Sequence, residues 1–174
     1  MAKEIFEAFE GQQDAFGYSQ ATRVGDTIYV AGTPGVGEGF HIPESMAEQM
    51  ELAYRNVATT LAHFGATMSD VVEQRVYVTN IDEATAAQDV RKAAYGGKDL
   101  PASTMVEVSK LALPQLKFEV AVVARVSAER VARRATPRSE QVRNRTHTIS
   151  LGTGQIGIDK AAVRPTSGTC SSRD

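Results

Sequence analysis

Leu100-Pro101-Ala102-Ser103-Thr104-Met105-Val106-Glu107-Val108, closed by Leu113-Pro114 and resumed as Lys117-Phe118-Glu119-Val120-Ala121-Val122-Val123, is the stretch that decides the fold. Ser103, Met105 and Glu107 alternate with Thr104, Val106 and Val108, the two-residue period of a strand. Pro101 opens that strand, where a missing N–H costs little. From Phe118 the chain is almost continuously apolar, which suits a strand in the middle of a sheet covered by helices. The two strands are expected to bring Ser103, Glu107 and Glu119 close together.

Working upstream, Asp82 is placed to cap a helix running to about Ala94, ended by Gly96-Gly97. Residues 71–79 read as a strand with Val72, Gln74, Val76 and Val78 on one face. Before it, Met46, Met50, Ala53, Val57, Leu61 and Phe64 recur at steps of four and three, the stripe of a helix lying on a sheet. Ser45 and Glu48 form a capping box at its start, and Gly65 is its natural stop. Residues 32–39 hold four glycines and Pro34 but lack the Gly-Lys-Ser/Thr ending of a phosphate loop, so they read as a flexible loop beside a pocket. Residues 19–24 and 27–31 are strands joined by the hairpin turn Gly25-Asp26, and residues 3–9 form a first edge strand. The order β-β-β-α-β-α-β-β predicts an α+β fold: a mixed β-sheet with two helices packed on one face. Its other face must be covered as well.

The 174 residues suffice for one domain with a proper core. A hydrophobic share of 42% and a charged share of 23% are ordinary for a soluble protein. No apolar run approaches the ~20 residues of a membrane span, and Met1-Ala2-Lys3-Glu4 does not open a secretory signal. Cys170 is the only cysteine, which excludes an internal disulfide and a cysteine metal cage. A cytoplasmic setting is expected. Residues 1–126 carry a net charge of -7 and residues 127–174 one of +5. The latter contain no Phe, Tyr or Trp, so the expected division is a folded domain over 1–126 and a basic, disordered tail over 127–174. Scattered charges without interleaved aromatics argue against a nucleic-acid arm, and an acidic domain disfavours RNA phosphates. His41, His63 and His147 lack metal-ligand spacing.

Gly17-Tyr18-Ser19-Gln20-Ala21, Val24-Gly25-Asp26-Thr27-Ile28-Tyr29-Val30-Ala31-Gly32, Gly65-Ala66-Thr67-Met68-Ser69-Asp70-Val71-Val72, Val76-Tyr77-Val78-Thr79-Asn80-Ile81-Asp82 and Pro101-Ala102-Ser103-Thr104 follow one another over residues 4–126. In order and spacing they resemble the Rid family (the YjgF/UK114 group), many of whose members are enamine/imine deaminases. The resemblance implies a chorismate mutase-like, YjgF-like subunit in a homotrimer with a barrel-like core. It also implies ligand clefts between subunits, a small-molecule substrate, no metal and no cofactor. Glu119 matches the glutamate credited with holding the attacking water. Tyr18 matches a pocket tyrosine, and Gln88 a helix position often carrying an amide. In deaminase members the last motif reads Pro-Ala-Arg-Ser, and the arginine binds the substrate carboxylate. Here Ser103 stands there, Met105 replaces a frequent cysteine, and Ala31 a frequent serine. Ser103 cannot form the two charge-assisted bonds of a guanidinium. Arg23, Arg75, Arg91 and Lys110 are candidates for a substitute cation. Two functions follow: hydrolysis of a small enamine, imine or related carbonyl compound, or binding of a metabolite without turnover.

Overall fold

The computed structural model describes residues 2–126. The expected tail over 127–174, with His147 and Cys170, lies outside the described residues. The elements are β1 (Lys3–Phe6), α1 (Gln12–Phe16), β2 (Ala21–Val24), β3 (Thr27–Pro34), α2 (Met46–His63), β4 (Val71–Val78), α3 (Ile81–Ala86), α4 (Gln88–Ala94), β5 (Ala102–Glu107) and β6 (Phe118–Arg125). The six strands form one sheet in the order β1-β2-β3-β6-β4-β5. Only β4 and β5 run parallel, because α3 and α4 carry the chain across between them. The result is the expected mixed sheet, with α2 as the main helix on one face.

The core lies between that face and α2. Phe118, Val120, Val122 and Ala124 of β6, Ile28 and Val30 of β3, and Val76 and Val78 of β4 are buried against Met50, Ala53, Val57 and Leu61 of α2. Each such large side chain contributes about 1.5–3 kcal/mol through area removed from water. β6 is central, as its apolar run predicts, and Pro101 precedes an edge strand.

Four local expectations are corrected. A bulge between Val71 and Glu73 puts Val71, rather than Val72, on the buried face with Gln74, Val76 and Val78. The helix after β4 is capped by Asn80, whose side chain accepts from Glu83 N, not by Asp82. That helix also breaks at Ala87 (φ -92°, ψ 12°), giving α3 and α4. The first strand stops at Phe6, and α1 follows between Gly11 and Gly17, both left-handed. At the start of α2 the Ser45 hydroxyl accepts from Glu48 N (3.2 Å) and donates to the Glu48 carboxylate (2.6 Å), so the capping box closes hydroxyl to carboxylate.

One buried amide ties the start of α2 to the turn leading into β6. Gln49 Nε2 donates to the carbonyls of Pro43 (2.7 Å) and Gln115 (2.9 Å), while Gln49 Oε1 accepts from Lys117 N (2.7 Å). A Cβ on Gly35 would run into the Gln49 backbone, which explains a glycine there.

The opposite face of the sheet carries Tyr29, Val123, Ala121, Tyr77 and Val106. Tyr29 and Val106 are 51% and 41% exposed. Exposed apolar faces of this kind are where proteins commonly meet a partner. No helix among the described residues is long and apolar enough to cross a membrane.

Candidate functional site

The register separates the residues that the sequence suggested would meet. β4 lies between β5 and β6, so Ser103 pairs with Gln74 and Glu119 pairs with Tyr77. Ser103 and Met105 share the helix-side face with Gln74 and Val76, whereas Glu119 is on the open face with Tyr77. Within one chain Ser103 and Glu119 are therefore on opposite faces of the sheet. Glu107 is also on the helix side: its carboxylate accepts the Ile81 N–H at 2.8 Å. That bond satisfies an otherwise orphaned donor at the start of α3, so Glu107 holds α3 in place.

On the open face, Glu119 is half-buried beside Gly32 and opposite Pro34. A Cβ on Gly32 would overlap the Glu119 carboxylate. Burial raises the Glu119 pKa above its ordinary value. Among the described residues its carboxyl group has no hydrogen-bond or ionic partner. Such a carboxylate is able to take and return a proton nearer neutrality than a solvated one. Ala31 is half-buried next to Gly32, where β3 shifts register. Tyr18 precedes β2 at this end: Gln20, two residues on, donates to the Thr33 hydroxyl at 2.9 Å, and Ala31 N donates to Gln20 O. The Tyr18 ring is 46% exposed and 6.4 Å from that of Phe16.

The helix side holds a second group. A cavity of about 110 Å³ lies between α2, the α3–α4 segment and the strands β4 and β5. Met50, Val76 and Phe118 form its apolar floor, Met105 one wall, and Thr85, Gln88 and Arg91 its polar rim. Ser103 sits on the same face two residues before Met105 but does not line it. Behind the cavity, the phenols of Tyr54 and Tyr95 both donate to Gln74 Oε1, at 2.9 and 3.1 Å. Burial pushes both phenol pKa values up, and the nearby Arg91 charge opposes that shift in each.

The four candidate cations separate clearly. Arg23 is buried and donates to the carbonyls of Gly25 and Phe64. Arg75 pairs with Glu73 at 3.1 Å on the open face. Lys110 is exposed in the loop after β5. Arg91 alone of the four lines the cavity with Gln88 and Met105. Thr85 was not singled out by the sequence. Its spacing of three from Gln88, and that of Gln88 from Arg91, is the signal that one helical face carries all three. Among the described residues no cluster of His, Cys, Asp or Glu could hold a metal ion.

Comparison with known proteins places this geometry. A family model described as Endoribonuclease L-PSP matches residues 12–126. A RutC family protein of Pyrococcus abyssi is 33% identical over 115 residues, covering 64% of this chain and 88% of its own. The 2-iminobutanoate/2-iminopropanoate deaminase of Rattus norvegicus is 31% identical over 110 residues, covering 62% and 78%. The crystal structure of a YjgF/YER057c/UK114 family member from Mycobacterium tuberculosis superposes with a TM-score of 0.64 at 35% identity, covering 72% of this chain and all of that one.

Proposed function

Because this chain belongs to the Rid (YjgF/UK114) family, the one matched as Endoribonuclease L-PSP, we propose that it hydrolyses a small imine or enamine in a cleft built between copies of itself. The carrying observation is the lone, half-buried Glu119 carboxylate poised over Gly32. One copy would supply Glu119 from its open face, Ala31 from the register shift of β3 and Tyr18 from the segment before β2. A neighbour in a homotrimer would supply Ser103 and Met105 from its edge strand and Gln88 from α4. The separation of these two groups within one chain supports a composite site. The exposed apolar face around Tyr29 and Val106 supports the assembly.

In this reading Glu119 orients a water and accepts its proton as the oxygen bonds to the imine carbon. The proton passes to nitrogen, giving a carbinolamine. The proton of its new hydroxyl then moves to nitrogen through Glu119 as the C–O double bond forms and the C–N bond breaks, and ammonia leaves behind a carbonyl compound. The balance is imine plus water giving carbonyl plus ammonia, with no redox partner. A cytoplasmic location belongs to the same proposal.

Ser103 favours a second reading, in which the cleft binds a metabolite without turnover, since a neutral, exposed serine supplies no cation at that position. Ammonia release from 2-iminobutanoate generated in situ separates the two. Acceleration by the purified protein, lost in Glu119→Gln, supports hydrolysis. Absence of acceleration, with ligand binding retained, supports the binding reading.

A further inference from the structure

We infer that Arg91 is the anion-binding residue of this chain and that the cavity behind Met105 takes the carboxylate end of a short-chain acid. The inference deepens the reading above by naming the residue and ligand class at one half of that cleft, but it does not require turnover.

Three observations carry it. First, Arg91 and Gln88 both line one small cavity, and among the described residues neither side chain has a hydrogen-bond or ionic partner. The adjacent Lys92 is committed to Asp89 at 3.0 Å. A half-buried guanidinium presents a planar fork of donors that matches a carboxylate. Second, the other polar rim group cannot compete for the anion. The Thr85 hydroxyl donates its hydrogen to the Ile81 carbonyl at 2.7 Å, leaving only lone pairs toward the cavity. Anion contacts therefore fall on Arg91 and Gln88. Third, the floor of Met50, Val76 and Phe118 is apolar and the volume of about 110 Å³ is small. It admits a carboxylate and a few carbons rather than a phosphate-bearing or polymeric ligand. The larger hollow beside α2, about 560 Å³, is a poorer anion site because Glu38, Glu48 and Glu51 line it beside Arg55.

The test is calorimetric titration of the full chain with 2-oxobutanoate, and with 2-butanone as its uncharged counterpart. Arg91→Gln is expected to weaken 2-oxobutanoate binding roughly tenfold or more, the scale of a lost charge-assisted bond, and to leave 2-butanone binding unaltered. Arg91→Lys should recover part of the loss. Lys92→Gln removes the same charge from the neighbouring position and should change affinity by no more than about twofold. Thermal melts of each variant exclude misfolding as the cause. Failure of the wild-type protein to bind 2-oxobutanoate overturns the inference, as does an unchanged Arg91→Gln affinity or an equal loss in Lys92→Gln. Ammonia release is read separately. Turnover indifferent to Arg91 leaves the hydrolase reading standing without the inference, and Arg91-dependent binding without turnover leaves the reverse.

Discussion

Gly32 and Glu119 compete for one space: where a side chain at position 32 would project, the Glu119 carboxylate already lies. The missing Cβ is what permits a charged group to sit half-buried against β3. Gly32→Ala must therefore displace either the carboxylate or the strand. The expected cost is about 1–3 kcal/mol of stability, typical of overpacking. If the hydrolase reading is right, ammonia release should fall further than stability does. Denaturant titration and turnover on the same variant check this.

Glu119→Gln should behave differently. Burial raises the Glu119 pKa in the folded chain, so the folded state holds its proton more tightly than the unfolded state. The stability this contributes is complete below the ordinary carboxylate pKa and is lost as pH rises through the raised value. Replacing the carboxylate with an amide should therefore raise the melting temperature at neutral pH, with the gain vanishing under acid conditions. A gain that persists undiminished in acid would refute desolvation as the cause. Activity, if present, should be lost at every pH.

Gln49→Leu keeps the volume and removes three hydrogen bonds. It strands the carbonyls of Pro43 and Gln115 and the N–H of Lys117. The expected loss is about 2–4 kcal/mol, since unsatisfied buried groups cost about 1–3 kcal/mol each and water reaches some of them. Urea unfolding measures it.

Gln74 serves two buried phenols at once. Tyr54→Phe and Tyr95→Phe each remove one bond and should cost about 1 kcal/mol. Gln74→Leu leaves both hydroxyls without their acceptor and should cost more than either. Equal losses in all three variants would show that the shared acceptor is not what holds the ring pair.

Among the described residues β6 is the last strand in sequence, and Val126 just after it is 4% exposed. Truncation after Val126 is expected to leave the melting temperature within a few degrees of that of the full chain. A large drop would show that residues 127–174 contribute to folding.

Strand β6, helix α2 and the β2–β3 hairpin were legible because single strong patterns specify them: an apolar run, a three-and-four stripe with a capping box, and a glycine turn. The bulge at Val71–Glu73 was not, because one inserted residue changes which valine faces the core without changing composition. The split at Ala87 was also hidden. Alanine is a strong helix former, and only packing of α3 and α4 around the cavity reveals the break. For the candidate site, motif positions singled out Glu119, Gln88 and Met105 but carried no information on which faces of the sheet they occupy. Nearness in sequence suggested that β5 and β6 bring Ser103, Glu107 and Glu119 together, whereas β4 inserts between the two strands. Parallel pairing of β4 with β5 is a long-range choice that no local pattern encodes.

The uncovered face around Tyr29, Val123 and Val106 has a consequence of a different kind. If copies of the chain cover it, the folded state is linked to association, and protein concentration becomes a thermodynamic variable. The melting temperature would then climb with each increment of concentration, and simple dilution would act as a denaturant. A polar replacement such as Tyr29→Glu would do by mutation what dilution does by mass action.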